Sequence, residues 1–181
     1  MPSLSPPTPR AIATFLVVGV LLVGARADTV NVLTRHVLRN AEYASAWTPS
    51  GRVHLRDGHY REPAAPNSAV EVHVWLLDQV VRWTANGHHY AAVILATDPG
   101  GSGTFFDLVV VEAQGRRPVP VASAELGDRV RVRTLTVERG TGPPVIRVGL
   151  VIHGPADPLC CPTQLAVRGF RWRDGTLVAA E

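Results

Sequence analysis

The chain has 181 residues, of which 46% are hydrophobic, so it holds one domain's worth of sequence with enough apolar side chains for a core. Its 18 basic residues are all arginine and stand against 15 acidic residues, for a formal charge of +3. The sequence lacks the basic stripe and recognisable module of a nucleic-acid-binding protein, so no nucleic-acid partner is predicted.

The first 27 residues have the pattern of a secretory signal peptide. Arg10 precedes an apolar run over residues 11–25, and Ala25-Arg26-Ala27 matches a cleavage site. The run is shorter than the roughly 20 residues of a membrane span, and an uncleaved N-terminal anchor is the alternative. Without Arg10 and Arg26, the 18 basic residues fall to 16 against 15 acidic ones. The sequence predicts an exported, periplasmic or cell-surface protein with residues 28–181 as a single domain.

The first predicted element of the exported part is a short helix over Thr34–Ala46, in which Val37, Leu38 and Ala41 share one face. Pro49-Ser50-Gly51 ends it. The chain beyond this point reads as strands and turns.

A β-hairpin is predicted over residues 52–62, around Asp57-Gly58, a dipeptide that accepts the positive φ angles of a type I′ turn. Pairing across this turn would set Arg56 opposite His59 and His54 opposite Arg61. One face would then carry four groups that can be cationic. We interpret it as a solvated face, with an anion or metal site as the alternative.

Eight further runs alternate or are continuously apolar, as strands do. The run at 90–96 predicts a central strand, Pro120 predicts a sheet edge, and shifts of phase predict β-bulges near Arg133-Thr134 and near Gly169. Turns are predicted at Asn86-Gly87 and Asp174-Gly175. The strands span residues 70–77, 90–96, 105–112, 119–124, 129–138, 146–152, 165–172 and 176–179. The pattern predicts a mainly β fold: one antiparallel sandwich or partly closed barrel of about eight to nine strands, with one short N-terminal helix.

The segment from Asp98 to Thr104 is rich in glycine but lacks the lysine of a phosphate-binding loop and precedes a strand. It is predicted to be a hairpin loop. Ser102, Asp107 and His153 occur in the order of a hydrolase triad, but the G-x-S-x-G elbow is missing because position 104 is threonine. A weak hydrolase is therefore only an alternative, and no catalytic residue is assigned.

The most unusual stretch of the chain is residues 153–164, which holds both cysteines, three prolines and a histidine. Adjacent Cα atoms lie about 3.8 Å apart, closer than the roughly 4.4–6.8 Å of ordinary disulfides. Cys160 and Cys161 would thus form a strained, redox-labile turn, stay as free thiols, or reach another chain. Export favours pairing. Adjacent cysteines fit neither zinc-site nor thioredoxin-like spacing.

Candidate interaction residues lie in this loop and on one strand. His153 and Asp157 belong to the loop, while Arg129, Arg131 and Arg133 alternate along the strand and would form an exposed basic ridge. Such a ridge is usually solvated but could meet an acidic partner. No cofactor and no metal ligand are predicted.

Four stretches together resemble a group of exported bacterial proteins of unknown function related to the LppP/LprE-type lipoproteins. They are Ala91-Ala92-Val93, residues 100–105 (GGSGTF), Leu126-Gly127-Asp128-Arg129 and residues 157–163 (DPLCCPT). The resemblance covers roughly residues 70–178 and implies an envelope location but no reaction. Members often carry a calcium-like acidic loop before the Ala-Ala-Val strand. Here residues 83–89 lack its carboxylates, so calcium is not expected.

These observations favour a non-catalytic exported β-domain of the cell envelope that acts as a binding or structural accessory protein. A redox-labile thiol or metal site at Cys160 and Cys161 is the first alternative. The sequence leaves the partner, its identity and the oligomeric state open.

Overall fold

The computed structural model describes residues 32–140, 142–173 and 175–180. Within them the chain forms one short helix and eleven strands, so the predicted mainly β fold with one short N-terminal helix is confirmed. The elements are α1 Arg35–Leu38, β1 Glu42–Ala44, β2 Arg52–His54, β3 His59–Pro63, β4 Glu71–Ala85, β5 His88–Asp98, β6 Phe105–Gln114, β7 Arg117–Asp128, β8 Arg131–Glu138, β9 Val145–Ile152, β10 Gln164–Arg173 and β11 Thr176–Ala180.

Two features predicted from the sequence lie outside the described residues. The predicted signal peptide, residues 1–27, is one, and Asp174 of the last predicted turn is the other. In the part of the chain that is described, no helix has the length and apolar character needed to cross a membrane.

The strands form three antiparallel sheets. A five-stranded sheet has the order β3-β4-β5-β6-β7, a four-stranded sheet has the order β11-β10-β9-β8, and β1 pairs with β2. Consecutive strands are neighbours in almost every case because short turns join antiparallel strands directly. The count of eleven exceeds the predicted eight to nine, partly because β1 falls within the predicted helix.

Two hydrophobic cores lie on opposite faces of the five-stranded sheet. Ala92 and Ile94 of β5 pack with the four-stranded sheet, while Val93 and Leu95 pack with the layer formed by α1, β1 and β2. Alternate side chains of a strand point to opposite faces, so a strand buried on both faces is apolar at every position. The predicted central strand at residues 90–96 is confirmed.

The predicted helix over Thr34–Ala46 is wrong in extent. Thr34 caps a single turn, with its Oγ1 accepting a hydrogen bond from Val37 N at 3.2 Å, and the helix ends after Leu38. Tyr43 lies in β1, fully buried, and its hydroxyl donates to the Leu38 carbonyl at 2.7 Å. Burial of Tyr43 and pairing of β1 with β2 outweigh a weak local preference for helix.

The turn at Asp57-Gly58 is confirmed, since both residues have positive φ angles, 51° and 82°. Arg56 lies opposite His59, as predicted. The second predicted pair is wrong: His54 lies opposite Glu42, because β2 leaves the hairpin to pair with β1 while β3 pairs with β4. Of the hairpin predicted over residues 52–62, the turn and the Arg56–His59 bridge form, but β2 and β3 do not pair with each other, so the turn joins two sheets.

Of the two predicted bulges, one is confirmed. The pairing of β8 with β9 shifts between Val132 and Thr134, where the apolar pattern changes phase. The pairing of β10 with β9 is continuous through Gly169, so the second bulge is wrong. The edge position predicted from Pro120 is confirmed, because β7 is the last strand of its sheet.

Candidate functional site

The cysteine loop, residues 153–163, connects β9 to β10. Cys160 and Cys161 are joined by a disulfide, the pairing that an oxidising compartment favours. The Cys161 amide donates to the Pro158 carbonyl at 3.0 Å, which closes a four-residue turn whose second residue is Leu159. Leu159 and both cysteines are exposed, whereas Pro162 is buried. The loop presents an apolar tip and a disulfide on a base anchored by Pro162.

Asp157 holds the two ends of this loop together. Its carboxylate accepts hydrogen bonds from the Gly154 amide at 2.8 Å, the Thr163 amide at 2.7 Å and the Thr163 hydroxyl at 2.8 Å. The Gly154 bond, followed by those from Thr163, lowers the pKa of Asp157 below its ordinary value. These hydrogen bonds fix the backbone where the loop leaves β9 and where it enters β10.

His153 has a role inside the loop as well. Its Nε2 lies 3.0 Å from the Leu159 carbonyl oxygen, which can only accept, so Nε2 is the donor. The imidazole thus braces the loop tip. Within the described residues, no group of three or more histidine, cysteine, aspartate or glutamate side chains is arranged to hold a metal ion.

The predicted basic ridge does not form as a row of three. Arg129 has a positive φ of 50°, pairs with the Asp128 carboxylate at 2.6 Å and donates from Nε to the Ser102 carbonyl at 2.8 Å. It therefore clamps the glycine loop between β5 and β6. Arg131 and Arg133 are exposed on β8, as the sequence predicts.

The outer face of the four-stranded sheet carries exposed aliphatic side chains. We define this outer face by Val151, Leu165, Val167 and Val178, whose strands turn Ile146, Val148, Leu150 and Phe170 into the core. Leu165 is 77% exposed, Val167 67% and Val178 52%, and Leu159 in the adjoining loop is 73% exposed. Leu165 lies opposite Val151 and two positions from Val167, and exposed apolar residues that cluster in this way indicate an interaction surface.

Sequence reasoning missed the outer face and instead took its signal for a bulge. Leu165 and Val167 are out of phase with Phe170 and Trp172 because the first two point outward and the last two point inward along one regular strand. The same pattern is also compatible with a regular strand that is apolar on both faces.

Asp107 has a partner that the sequence did not reveal. It lies directly opposite Glu125 of β7, and burial, followed by the charge of Glu125, raises its pKa to about 6, against a smaller opposing effect of a hydrogen bond from Trp47. Trp47 stacks on Phe105 with ring centroids 3.6 Å apart. The register between β6 and β7 sets Asp107 opposite Glu125, and the position of the loop residue Trp47 decides its contact with Asp107.

The three residues in hydrolase order lie on separate elements. Ser102 is in the glycine loop, Asp107 is in β6 and His153 is in the cysteine loop. Among the hydrogen bonds of the described residues, none joins any two of them; His153 is bonded to Leu159 and the Ser102 carbonyl to Arg129. This arrangement supplies no nucleophile–base pair.

No model of a known protein family matches the chain, and neither does any curated protein or solved structure. The resemblance to exported proteins related to the LppP/LprE-type lipoproteins therefore stays a prediction from the sequence.

Proposed function

We propose that this chain is a non-catalytic accessory domain of the cell envelope that holds a protein partner against the outer face and the tip of the cysteine loop. The observation that carries the proposal is the exposure of Leu165, Val167 and Leu159 on adjoining elements. Burying such aliphatic surface contributes about 25 cal/mol per Å², so a partner that covers it gains affinity there.

The charges around the outer face indicate the chemistry of the partner. Arg131 lies opposite Val151, and Arg171 lies opposite Val178, so both guanidinium groups border the aliphatic patch. Neither forms a salt bridge within the described residues, whereas Arg147 is paired with Glu138 at 2.6 Å. A partner with an apolar centre and carboxylates at its rim complements this surface.

The cysteine loop supports the same proposal through its rigidity. Asp157 and His153 fix the loop by hydrogen bonds, so Leu159 is presented without a large loss of conformational freedom on binding. The N-terminal signal-peptide pattern and the paired cysteines are consistent with export to an oxidising compartment.

The test uses a photo-crosslinking residue in place of Leu165 in the full chain, expressed in its native envelope. Val70 is the matched control, since it is a 47% exposed aliphatic residue that precedes β4 of the other large sheet. The purified crosslinked partner is then titrated against the wild-type protein and against Leu165→Asp and Val70→Asp. We expect at least a tenfold loss of affinity for Leu165→Asp and less than a twofold change for Val70→Asp.

A charge exchange makes the test specific. Arg131→Glu should weaken binding, and changing the contacting partner carboxylate to lysine should restore it. Equal affinity for wild type and Leu165→Asp contradicts the proposal. So does crosslinking from position 165 only to a second copy of the chain or only to lipid.

A further inference from the structure

A shallow depression beside the Asp57-Gly58 turn is lined by His54, Arg56, His59, Tyr60 and Arg61 and has a volume of about 620 Å³. Four of these five side chains carry a guanidinium or an imidazole, and no acidic residue is among them. The depression belongs to the β2–β3 region and shares no residue with the outer face. It is a cationic surface that the proposed function does not use.

The backbone under this depression is fixed on both sides. The amides and carbonyls of Arg56 and His59 exchange two hydrogen bonds, at 2.8 and 3.0 Å, so their side chains lie next to each other on one face. His54 is held by pairing with Glu42, and Arg61 by pairing with His73. The two guanidinium groups and two imidazoles are therefore brought together before any ligand arrives.

The turn itself is also tied down from the core side. The Leu76 amide donates to the Gly58 carbonyl at 2.9 Å, which links the turn to β4. The Arg39 guanidinium packs against Gly58 and donates to the Asp57 carbonyl. These contacts hold the Asp57-Gly58 turn against β4 and Arg39.

Two carboxylates near the depression are engaged by other groups. Glu42, which lies opposite His54, is paired with Arg52 at 2.8 Å. Glu62 accepts a hydrogen bond from the Ser50 hydroxyl at 2.9 Å. Within the described residues, Arg61 is the lining residue with a salt bridge, to Glu71 at 3.8 Å, and the Arg61 side chain is 70% exposed, so that pair is weak.

We propose that this depression binds a ligand with two or more phosphate groups. Each guanidinium presents a planar fork of N–H donors that matches two phosphate oxygens, and phosphate accepts more such bonds than a carboxylate does. Arg56 lies opposite His59 and Arg61 lies two positions beyond His59, so the lining supplies two such forks. A depression of this volume and open shape suits the phosphates of a soluble polyanion or of lipid headgroups.

The test measures binding of sodium tripolyphosphate to the full-length protein by calorimetry, with phosphatidylglycerol vesicles in a phosphatidylcholine background as the second arm. Arg56→Gln with Arg61→Gln is the test variant. Arg116→Gln with Arg117→Gln is the matched control, because both residues are exposed at the β6–β7 turn and the change in net charge is the same. Melting curves verify that both variants fold.

We expect the test variant to bind tripolyphosphate at least tenfold more weakly and the control to change less than twofold, with affinity falling as salt rises. Binding to vesicles alone, lost in the same variant, assigns the phosphates to lipid. Equal loss in both variants, or no binding in either arm, overturns the proposal. Crosslinking from position 165 should be unaffected by the test variant, so this proposal and the partner-holding function fail independently.

Discussion

Thr163 donates two hydrogen bonds to the carboxylate of Asp157, one from its amide at 2.7 Å and one from its hydroxyl at 2.8 Å. The two residues stand six positions apart and close the base of the cysteine loop. The rigidity of the loop therefore depends on this carboxylate as well as on its prolines.

Asp157→Ala should loosen the loop while leaving the sheets intact. The Gly154 and Thr163 amides lose their acceptor, so we expect both to exchange with solvent deuterium about tenfold faster or more. Hydrogen exchange followed by mass spectrometry or NMR measures this. Asp98→Ala is the control, since the Asp98 carboxylate accepts a hydrogen bond from the Gly100 amide in the glycine loop, away from the cysteine loop. Unchanged exchange at Gly154 and Thr163 would show that the carboxylate does not brace the loop.

The same interaction has a defined pH dependence. Because the pKa of Asp157 is lowered in the folded protein, its stabilising effect is complete at neutral pH and is lost as the pH falls below the ordinary value of 3.8 and through the lower folded value. Protection of the Thr163 amide against hydrogen exchange, corrected for the intrinsic exchange rate, should therefore decrease as the pH falls through that range.

Replacing both cysteines, Cys160→Ser with Cys161→Ser, should leave the fold intact. A disulfide stabilises chiefly by closing a loop in the unfolded chain, and a bond between neighbouring residues closes almost none. We expect a change in melting temperature of less than about 4 °C, which corresponds to less than about 1 kcal/mol. Circular dichroism measures it. Global unfolding of the double variant would show that the disulfide, and not the hydrogen-bonded loop base, maintains the fold.

Asp107 should make the protein less stable as the pH rises from about 4 to 7. Its pKa in the folded protein, about 6, exceeds the ordinary 3.8, so the folded state holds the proton more tightly than the unfolded state does. Stability therefore falls as the pH rises from 3.8 through about 6 and stays lower above that. Asp107→Asn should be more stable than the wild type by about 2 kcal/mol at pH 8 and equal to it near pH 4. Urea unfolding at both pH values measures the difference.

A neighbouring variant separates the causes of this shift. Glu125→Gln removes the neighbouring negative charge but leaves Asp107 buried. It should therefore recover only part of the gain in stability seen with Asp107→Asn. A wild-type protein that gains stability relative to Asp107→Asn between pH 4 and 8 would contradict the assigned direction.

Two neighbouring glycines in the β5–β6 loop should respond differently to alanine. Gly100 has a φ of +85°, and a Cβ there would collide with Val70 Cγ1 and lie 3.0 Å from the Glu71 carbonyl oxygen. Gly101→Ala meets nothing within 4 Å. We expect Gly100→Ala to cost about 1–3 kcal/mol in unfolding free energy and Gly101→Ala less than about 0.5 kcal/mol. Equal stability of the two variants in urea would refute the assigned loop geometry.

The sequence alone determined the elements whose signals are local. Alternation of apolar side chains located most of the strands, Asp57-Gly58 and Asn86-Gly87 located two turns with positive φ, and Pro120 located an edge. Each of these features depends on φ preferences, a missing amide or the period of a strand, all of which are set by residues next to one another in the chain.

Only the tertiary structure decided which strands pair and what each face meets. It placed β2 with β1, set Asp107 opposite Glu125, and turned Leu165 outward on a regular strand. These outcomes depend on contacts between residues far apart in the chain, where burial of a side chain such as Tyr43 outweighs local preference. For that reason the residues of the cysteine loop could be named from the sequence, whereas the outer face beside it could not.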